Sequence, residues 1–313
     1  MNYRRLGRTG LKVSEISLGS WLTYGNSVED NTAEKIIHKA YDLGINFFDS
    51  ANMYGLGEGE KVMARALKAY PRESYVITTK AFWPMGDGPN DRGLSRKHVF
   101  EQVHSSLKRM DLDYVDIFYC HRYDPETPVE ETLRVIDDLI RQGKILYAGV
   151  SEWSAAQIEE AVRIADKYLL DRIVVNQPQY NMLDRRIESE IIPVSDKYGI
   201  GQVVFSPLAQ GVLTGKYLNG IPENSRAANE DINIFVKHML NDDVLNKVRQ
   251  LDGVAKELDT TLPALAIAWI LRQPSVASAI VGASRPEQIE ANVEGAKLKL
   301  STEIIEKIDE ILK

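Results

Sequence analysis

Four ionisable residues follow three of the short apolar runs in the sequence, and their types suit proton transfer. They are Asp49, Tyr54, Lys80 and His121. A tyrosine hydroxyl has a pKa of about 10, which is too high for an effective proton donor at neutral pH. A lysine ammonium nearby lowers that pKa, and an aspartate keeps the lysine charged and in place. Such a group would protonate an alkoxide that forms on a carbonyl carbon, while the histidine hydrogen-bonds the same oxygen and orients it.

The same residues also have a purely structural interpretation. Asp49 and Lys80 could form only an ion pair, and Tyr54 could be only an aromatic residue of a loop. The catalytic interpretation requires that three separate strands end at one rim of a sheet, where the side chains meet. The chemistry therefore depends on the elements that carry these residues.

Short apolar runs alternate with longer amphipathic stretches along the chain. The runs predict eight strands, at Ser14–Leu18, Asn46–Asp49, Tyr75–Thr79, Val115–Cys120, Leu146–Val150, Ile173–Asn176, Gly201–Ser206 and Ser278–Val281. Most are continuous apolar blocks, as expected of parallel strands that are buried on both faces. Helical spacing follows them, at Ala33–Leu43, Gly59–Ala69, His98–Met110, Val129–Gln142, Ala155–Lys167, Glu188–Lys197, Asp243–Leu258 and Pro286–Ala296. Eight strands that each lead to a helix predict an α/β protein with a (β/α)8, or TIM, barrel.

We expect residues 1–313 to form this one barrel domain, because no linker or low-complexity tract divides the chain. Tyr3–Val13 would be an N-terminal β-hairpin that closes the barrel floor, and Thr302–Leu312 would be a C-terminal helix. A doubly wound sheet has the same alternation of strands and helices. It would usually carry a glycine fingerprint after its first strand, and none is there. Gly55-x-Gly57-x-Gly59 also fails that pattern, since Glu60 occupies the sixth position, and predicts a loop and a helix start.

A second group of residues, at the end of the last predicted strand, suits an anion. Gly282-Ala-Ser-Arg285 leads into a helix whose Ser284-x-x-Glu287 pattern predicts a capping box. Free amides at a helix N-terminus bind phosphate, and a guanidinium matches phosphate geometry. Lys216 and Arg226, in the long irregular segment Gly211–Asn241, favour the same function. A surface arginine on a capped helix is the simpler alternative.

Composition and charge exclude several classes of protein. The 313 residues carry 38 basic and 45 acidic side chains, a net charge of −7, so we expect no nucleic-acid partner. The single cysteine, Cys120, excludes a disulfide scaffold. Its side chain should pack away from that of the neighbouring His121, because successive strand residues face opposite ways. The absence of metal-ligand spacings predicts no metal site. Met1–Gly10 lacks the apolar core of a signal peptide, and Leu262–Leu271 is too short to cross a bilayer. We therefore expect a cytoplasmic protein with no membrane partner.

The chain from Tyr3 to Leu300 resembles the aldo-keto reductases. The resemblance is carried by Gly44-Ile-Asn-Phe-Phe-Asp-Ser-Ala-Asn-Met-Tyr-Gly55, by Ser106-Leu-Lys-Arg-Met-Asp-Leu-Asp-Tyr-Val-Asp-Ile117 with His121 after it, by Ser206-Pro-Leu-Ala-Gln-Gly-Val-Leu-Thr-Gly-Lys216 and by Ile280-Val-Gly-Ala-Ser-Arg-Pro286. The motif ending at Lys216 is similar to the bacterial branch that is related to the β subunits of voltage-gated potassium channels. The resemblance implies a (β/α)8 barrel that binds a nicotinamide dinucleotide without a Rossmann fold.

The resemblance also implies a role for each candidate residue. The catalytic tetrad would be Asp49, Tyr54, Lys80 and His121, the four that their side-chain chemistry already indicates. Ser151 and Gln177 would hold the nicotinamide carboxamide, and Phe205 would stack on the ring. The remaining cofactor contacts would be Ser206, Leu208, Gly211, Lys216 and Arg226 around the pyrophosphate, Gly282 beside them, Ser284, Arg285 and Gln288 at the 2′-phosphate, and Asn292 at the adenine. Trp21 and Trp83 would line the substrate pocket.

These inferences lead us to expect an NADPH-dependent oxidoreductase that reduces aldehydes or ketones, with Tyr54 as general acid and a small carbonyl compound as substrate. Arg285 favours NADPH, because a cation gains nothing from a free 2′-hydroxyl. An NADPH-binding redox sensor or regulatory subunit with little turnover is the alternative. No obligate protein partner is evident from the sequence.

Two residues depart from the family pattern near the expected cofactor. Glu152 stands where many members carry the asparagine that binds the carboxamide, and a carboxylate cannot donate a hydrogen bond to the amide oxygen. Ala291 replaces a common glutamate near the adenine. Both changes predict weaker binding of the cofactor.

Overall fold

The computed structural model describes residues 1–21, 30–223 and 225–313, and ten strands occur in these ranges. They are β1 Tyr3–Arg5, β2 Lys12–Ser14, β3 Ile16–Gly19, β4 Phe47–Asp49, β5 Val76–Ala81, β6 Val115–Cys120, β7 Ile145–Ser151, β8 Val175–Gln177, β9 Gly201–Val204 and β10 Val276–Val281. The last eight are parallel and close into a barrel in the order β10-β3-β4-β5-β6-β7-β8-β9. The predicted (β/α)8 barrel is confirmed.

The inner face of the barrel changes from apolar to polar along each strand. An apolar cluster fills its lower part, and its strand residues include Phe47, Val76, Ile117, Val175 and Val203. Side chains two residues apart on a strand share a face, so each series continues towards the carboxyl end of its strand. The strand registers agree, because Asp49 pairs with Thr78 and Lys80 pairs with Tyr119. A polar layer therefore lies directly above the apolar one.

Helices cover the outside of the barrel. In the described residues they are α1 Asp30–Asp42, α2 Glu58–Leu67, α3 Arg96–Met110, α4 Val129–Arg141, α5 Ala155–Tyr168, α6 Ile191–Tyr198, α7 Asp242–Glu257, α8 Leu262–Leu271, α9 Pro286–Gly295 and α10 Thr302–Leu312. Their apolar faces pack against outward-facing strand residues in a second cluster, which includes Cys120. Cys120 thus packs away from the barrel interior, as predicted, and burial raises the pKa of its thiol to about 12.

Two helices differ from the sequence pattern for identifiable reasons. Every residue of α8 except Pro263 is buried, so the helix has no polar face and no amphipathic period. Helical spacing therefore does not show where α8 begins and ends. α6 begins at Ile191 rather than at Glu188, because Arg186–Glu188 forms a separate short 3-10 helix. Both differences lie in the helix layer and leave the barrel rim unchanged.

The N-terminal hairpin closes the floor of the barrel, as expected. β1 and β2 pair antiparallel, and Leu6 and Val13 are fully buried against the inner apolar cluster. Arg4 fixes the hairpin to the barrel through hydrogen bonds to the carbonyl oxygens of Leu271 and Val276, at 2.7 and 2.8 Å. With the floor closed, the open rim is the end at which the polar residues lie.

Candidate active site

A buried ion pair forms the centre of the polar layer. Lys80 is fully buried, and its Nζ donates hydrogen bonds to Asp49 Oδ2 at 2.6 Å and to the carbonyl oxygen of Ser50 at 2.8 Å. The other carboxylate oxygen, Oδ1, accepts from Thr78 Oγ1 at 2.8 Å and from Gln177 Nε2 at 2.9 Å. Burial lowers the pKa of Lys80, and the Asp49 carboxylate opposes that shift. Asp49 is therefore the group that keeps this lysine charged.

Tyr54 lies on the open side of the ion pair. It begins the short 3-10 helix Tyr54–Gly57, and its hydroxyl is 3.4 Å from Lys80 Nζ. Burial and the Asp49 carboxylate raise the pKa of Tyr54 well above its usual value, and Arg122 opposes them. Burial and Asp49 therefore outweigh the lowering expected from Lys80, and the net shift of the Tyr54 pKa is upward. The Tyr54 hydroxyl consequently remains protonated at neutral pH.

His121 completes the group of four. Its ring centroid lies 5.7 Å from that of Tyr54, with the two rings at 78°. Burial and the positive charges of Lys80 and Arg122 hold the pKa of His121 well below its usual value. Its Nδ1 is buried and has no hydrogen-bond partner among the described residues. The imidazole is therefore neutral at neutral pH and can hydrogen-bond an oxygen that lies beside Tyr54.

The two tryptophans predicted to line the substrate pocket have different neighbours. The Trp83 ring lies 6.3 Å from the His121 ring and forms an edge-to-face contact with it. Trp21 lies on the side of the long segment after β9, where its ring contacts Phe235 at 5.1 Å and the Arg226 guanidinium at 5.7 Å. The structure therefore places Trp83 beside His121 and Trp21 beside the predicted phosphate site.

The residues predicted to hold the nicotinamide lie at the ends of the neighbouring strands β7, β8 and β9. Ser151 ends β7 and Gln177 ends β8, and Ser151 Oγ donates to the Gln177 carbonyl oxygen at 2.9 Å. Phe205 follows β9, two residues after the inward-facing Val203, and its half-buried ring packs on the inner apolar cluster. Gln177 connects these residues to the buried ion pair through its hydrogen bond to Asp49.

The segment after β9 forms a tightly turned loop around two cations. Ser206, Ala209, Gln210 and Gly211 all have positive φ, and Leu208 precedes the short 3-10 helix Ala209–Thr214. Gly211 has a φ of 97°, which favours glycine, and its Cα lies close to the end of the Lys216 side chain, since a Cβ there would be 2.9 Å from Nζ. The Arg226 guanidinium hydrogen-bonds the side chain of Gln210.

Lys216 and Arg226 lie close enough for their charges to interact. Partial burial and the positive charge of Arg226 lower the pKa of Lys216, and burial lowers the pKa of Arg226. Within residues 1–21, 30–223 and 225–313, neither cation forms an ion pair with a carboxylate. Two adjacent cations without a matching carboxylate are a suitable site for phosphate oxygens.

The predicted capping box after β10 is wrong. α9 begins at Pro286 with Arg285 as its N-cap, because the fixed φ of proline suits the first helical position. The Ser284 N–H and Oγ instead face Gln288 Oε1, at 2.8 and 3.3 Å. Gly282, Ser284 and Arg285 are exposed, and Asn292 is buried on α9. β10 adjoins β9 in the barrel, so these residues and the Lys216 loop follow neighbouring strands at one rim.

Glu152 is engaged within the protein. Its backbone has a φ of 58°, and its Oε1 accepts a hydrogen bond from the Gln179 N–H at 2.6 Å. Its Oε2 pairs with the Arg186 guanidinium, also at 2.6 Å. The carboxylate is thus turned towards the loop that follows β8.

Sequence reasoning missed two residues of the polar layer, Thr78 and Arg122. Thr78 lies two positions before Lys80 and bonds Asp49, so the two-residue alternation of β5 could have identified it. Arg122 follows His121, and its Nη1 donates to the His121 carbonyl oxygen at 2.5 Å. Its position after the strand gave no such signal, because a loop residue has no fixed alternation.

Across the described residues, no group of three or more His, Cys, Asp or Glu side chains is arranged to hold a metal ion. No helix in the same part of the chain is both long enough and apolar enough to span a bilayer.

The chain matches known proteins over nearly its whole length. Residues 15–313 match the model of the aldo/keto reductase family. Over the full length of this chain, a probable voltage-gated potassium channel subunit beta of Arabidopsis thaliana is 46% identical, and 97% of that protein is covered. A putative subunit of the same kind from Schizosaccharomyces pombe is 47% identical, over 99% of this chain and 93% of the relative. The chain therefore belongs to the aldo/keto reductase family, whose members are oxidoreductases that use a nicotinamide cofactor.

Proposed function

We propose that the protein reduces aldehydes or ketones to alcohols with NADPH. The observation that carries this proposal is the position of the buried Lys80 ammonium, which lies 2.6 Å from the Asp49 carboxylate and 3.4 Å from the Tyr54 hydroxyl. A protonated phenol beside a fixed positive charge can donate its proton to an oxygen on which negative charge develops. No other proton donor in the described site has a buried cation held against it in this way.

Each member of the group has one task in this reaction. Tyr54 donates a proton to the carbonyl oxygen, and Lys80 stabilises the negative charge that Tyr54 then carries. Asp49 holds Lys80 in place and keeps it charged. His121, neutral at neutral pH, hydrogen-bonds the carbonyl oxygen and orients it towards Tyr54.

The residues around this group fit a nicotinamide dinucleotide. The Phe205 ring on the apolar cluster offers a stacking surface, and Ser151 and Gln177 offer polar groups at the ends of β7 and β8. The unmatched cations Lys216 and Arg226 suit the pyrophosphate, with Ser206, Leu208 and Gly211 forming the backbone around them. When bound, NADPH supplies the hydride that reduces the carbonyl carbon.

The phosphorylated cofactor is favoured by the residues after β10. Arg285 is exposed, and it forms no ion pair with any carboxylate in the described ranges. We assign Ser284, Arg285 and Gln288 to the 2′-phosphate and Asn292 to the adenine, with Gly282 before them at the end of β10. A guanidinium here gains two charge-assisted hydrogen bonds from a phosphate and little from a hydroxyl.

The test is the oxidation of NADPH in the presence of aromatic and short-chain aldehydes. Tyr54→Phe removes the proton donor and keeps the ring, so we expect kcat to fall by at least about 100-fold, the usual size of a general-acid contribution. Tyr168→Phe, on the outer helix α5, is the matched control. Equal turnover by the wild type and Tyr54→Phe would refute Tyr54 as the acid.

The names of the relatives favour a second candidate, an NADPH-binding regulatory subunit that turns over little. Those relatives are named as β subunits of voltage-gated potassium channels. Tight binding of NADPH with negligible oxidation by every carbonyl compound would support this candidate over the reductase. For the reductase, we propose a small carbonyl substrate, a cytoplasmic location and no obligate protein partner.

A further inference from the structure

Arg122 borders the catalytic group, yet the proposed reaction gives it no task. Its Nη1 donates to the His121 carbonyl oxygen at 2.5 Å and to Ser151 Oγ at 3.4 Å. Its guanidinium carbon lies 5.6 Å from the centre of the Trp83 ring. Since Trp83 contacts His121 and His121 contacts Tyr54, these side chains form a continuous wall that ends at Arg122.

The positive charge of Arg122 has no carboxylate partner among residues 1–21, 30–223 and 225–313. Glu152 is near enough to influence it, but Glu152 Oε1 accepts from the Gln179 N–H and Oε2 pairs with Arg186. A guanidinium has five N–H donors, and the hydrogen bonds of the described residues use only Nη1 of Arg122. A half-buried cation with unused donors is suited to an anion that arrives with the substrate.

We propose that Arg122 binds a carboxylate of the substrate, so that the preferred substrates are aldehydes and ketones that carry a carboxylate. The inference rests on the proposed reduction and names its substrate class. With the carbonyl oxygen beside Tyr54 and His121, the Trp83 ring covers the apolar middle of the substrate. The carboxylate at the far end of the substrate then accepts hydrogen bonds from the Arg122 guanidinium, whose geometry matches two carboxylate oxygens.

Matched pairs of substrates test this assignment. Each pair contains an acid and its neutral methyl ester: meta-formylbenzoate, para-formylbenzoate and phenylglyoxylate with their esters. The ratio of kcat/KM for acid and ester isolates the effect of the carboxylate. This ratio is needed because the Arg122 charge also acts on Tyr54, and that effect is common to both members of a pair.

We expect the wild type to prefer the acid in at least one pair. Arg122→Met should lower the acid-to-ester ratio by about 10- to 100-fold, mainly through KM, which is the usual effect of losing a hydrogen bond to a charged group. Arg122→Lys should retain part of the preference. Arg163→Met, which removes an exposed arginine on α5, should leave the ratio unchanged. Equal losses for acid and ester in Arg122→Met would overturn the proposal.

A binding measurement separates this inference from the proposed function. Benzoate added to the protein with NADP+ should quench tryptophan fluorescence in the wild type and bind at least about 10-fold more weakly to Arg122→Met. If no carbonyl compound is reduced but this difference remains, the reductase fails and the carboxylate site stands. Unchanged benzoate binding, or weaker NADPH binding with an unchanged acid-to-ester ratio, would refute the site.

Discussion

Lys80 Nζ lies 2.6 Å from Asp49 Oδ2 inside the barrel, where the lysine has no exposed surface and the aspartate has 3%. Such a pair is stable only while both charges are present, because an isolated charge in this environment has lost its hydration without compensation. The pair also joins β4 to β5 at the rim of the barrel, close to the Tyr54 hydroxyl. Stability and the proposed chemistry are therefore coupled at this contact.

Asp49→Asn should separate these two effects. It leaves the Lys80 ammonium buried without its partner, and we expect the free energy of unfolding to fall by about 3–5 kcal/mol, with loss of activity. The double variant Asp49→Asn/Lys80→Met removes both charges and should recover most of the stability but no activity. Urea unfolding and NADPH oxidation measure the two quantities. A double variant no more stable than Asp49→Asn would contradict a buried-charge origin.

Acid should destabilise the protein through His121. Its pKa is held well below the usual value, so below about pH 6.5 the unfolded chain binds a proton there while the folded chain does not. Because the unfolded state binds more protons, stability present above that pH is lost as the pH falls. We expect His121→Gln to flatten this decline in urea unfolding between about pH 7 and 5. His104→Gln, on α3, is the control, and an equal effect of both variants would count against His121.

Arg285→Ala should change the choice of cofactor. Loss of the guanidinium should raise the Kd for NADPH by about 10- to 100-fold, since a hydrogen bond to a charged group is lost, and should change the Kd for NADH little. Arg285→Lys keeps the charge, so its Kd for NADPH should lie between those of the wild type and Arg285→Ala. Fluorescence titration with both cofactors checks the prediction. An unchanged preference would remove the 2′-phosphate from this site.

The turn that carries Tyr54 packs against the half-buried side chain of Arg109, which makes Gly57 a sensitive position. Gly57 has a φ of 96°, and a Cβ there would lie 2.5 Å from Arg109 Cδ. Arg109 in turn pairs with the fully buried Glu60 at 2.6 Å. Gly57→Ala should therefore displace the turn and lower kcat, in addition to the cost of a left-handed residue, about 1–2 kcal/mol.

Gly143→Ala is the matched control for this prediction. Gly143 also has positive φ, 67°, but a Cβ there meets nothing within 4 Å. We expect it to lose a similar amount of stability, about 1–2 kcal/mol, and to keep full activity. If both variants kept kcat, the contact with Arg109 would not matter for the position of Tyr54.

The barrel could be predicted from the sequence because its strands are continuous apolar blocks at regular spacing. The polar residues that follow them, Asp49, Lys80 and His121, were accessible for the same reason, since strand ends meet at one rim of such a barrel. α8 was not delimited because a helix buried on all sides has no polar face to give it a period. The helix cap at Arg285 was missed because proline at the first helical position outweighed a serine pattern.

The sequence by itself determined the alternation of strands and helices, the residue types at the strand ends and the family. Only the tertiary structure decided which of those residues interact: that Asp49 matches the charge of Lys80, that burial and Asp49 raise the pKa of Tyr54, and that Glu152 turns to Arg186. The tertiary structure alone also decided that Arg122 lies beside Trp83. Secondary structure follows from local spacing, whereas charge pairing and burial depend on strand register and barrel closure, which join residues far apart in the chain.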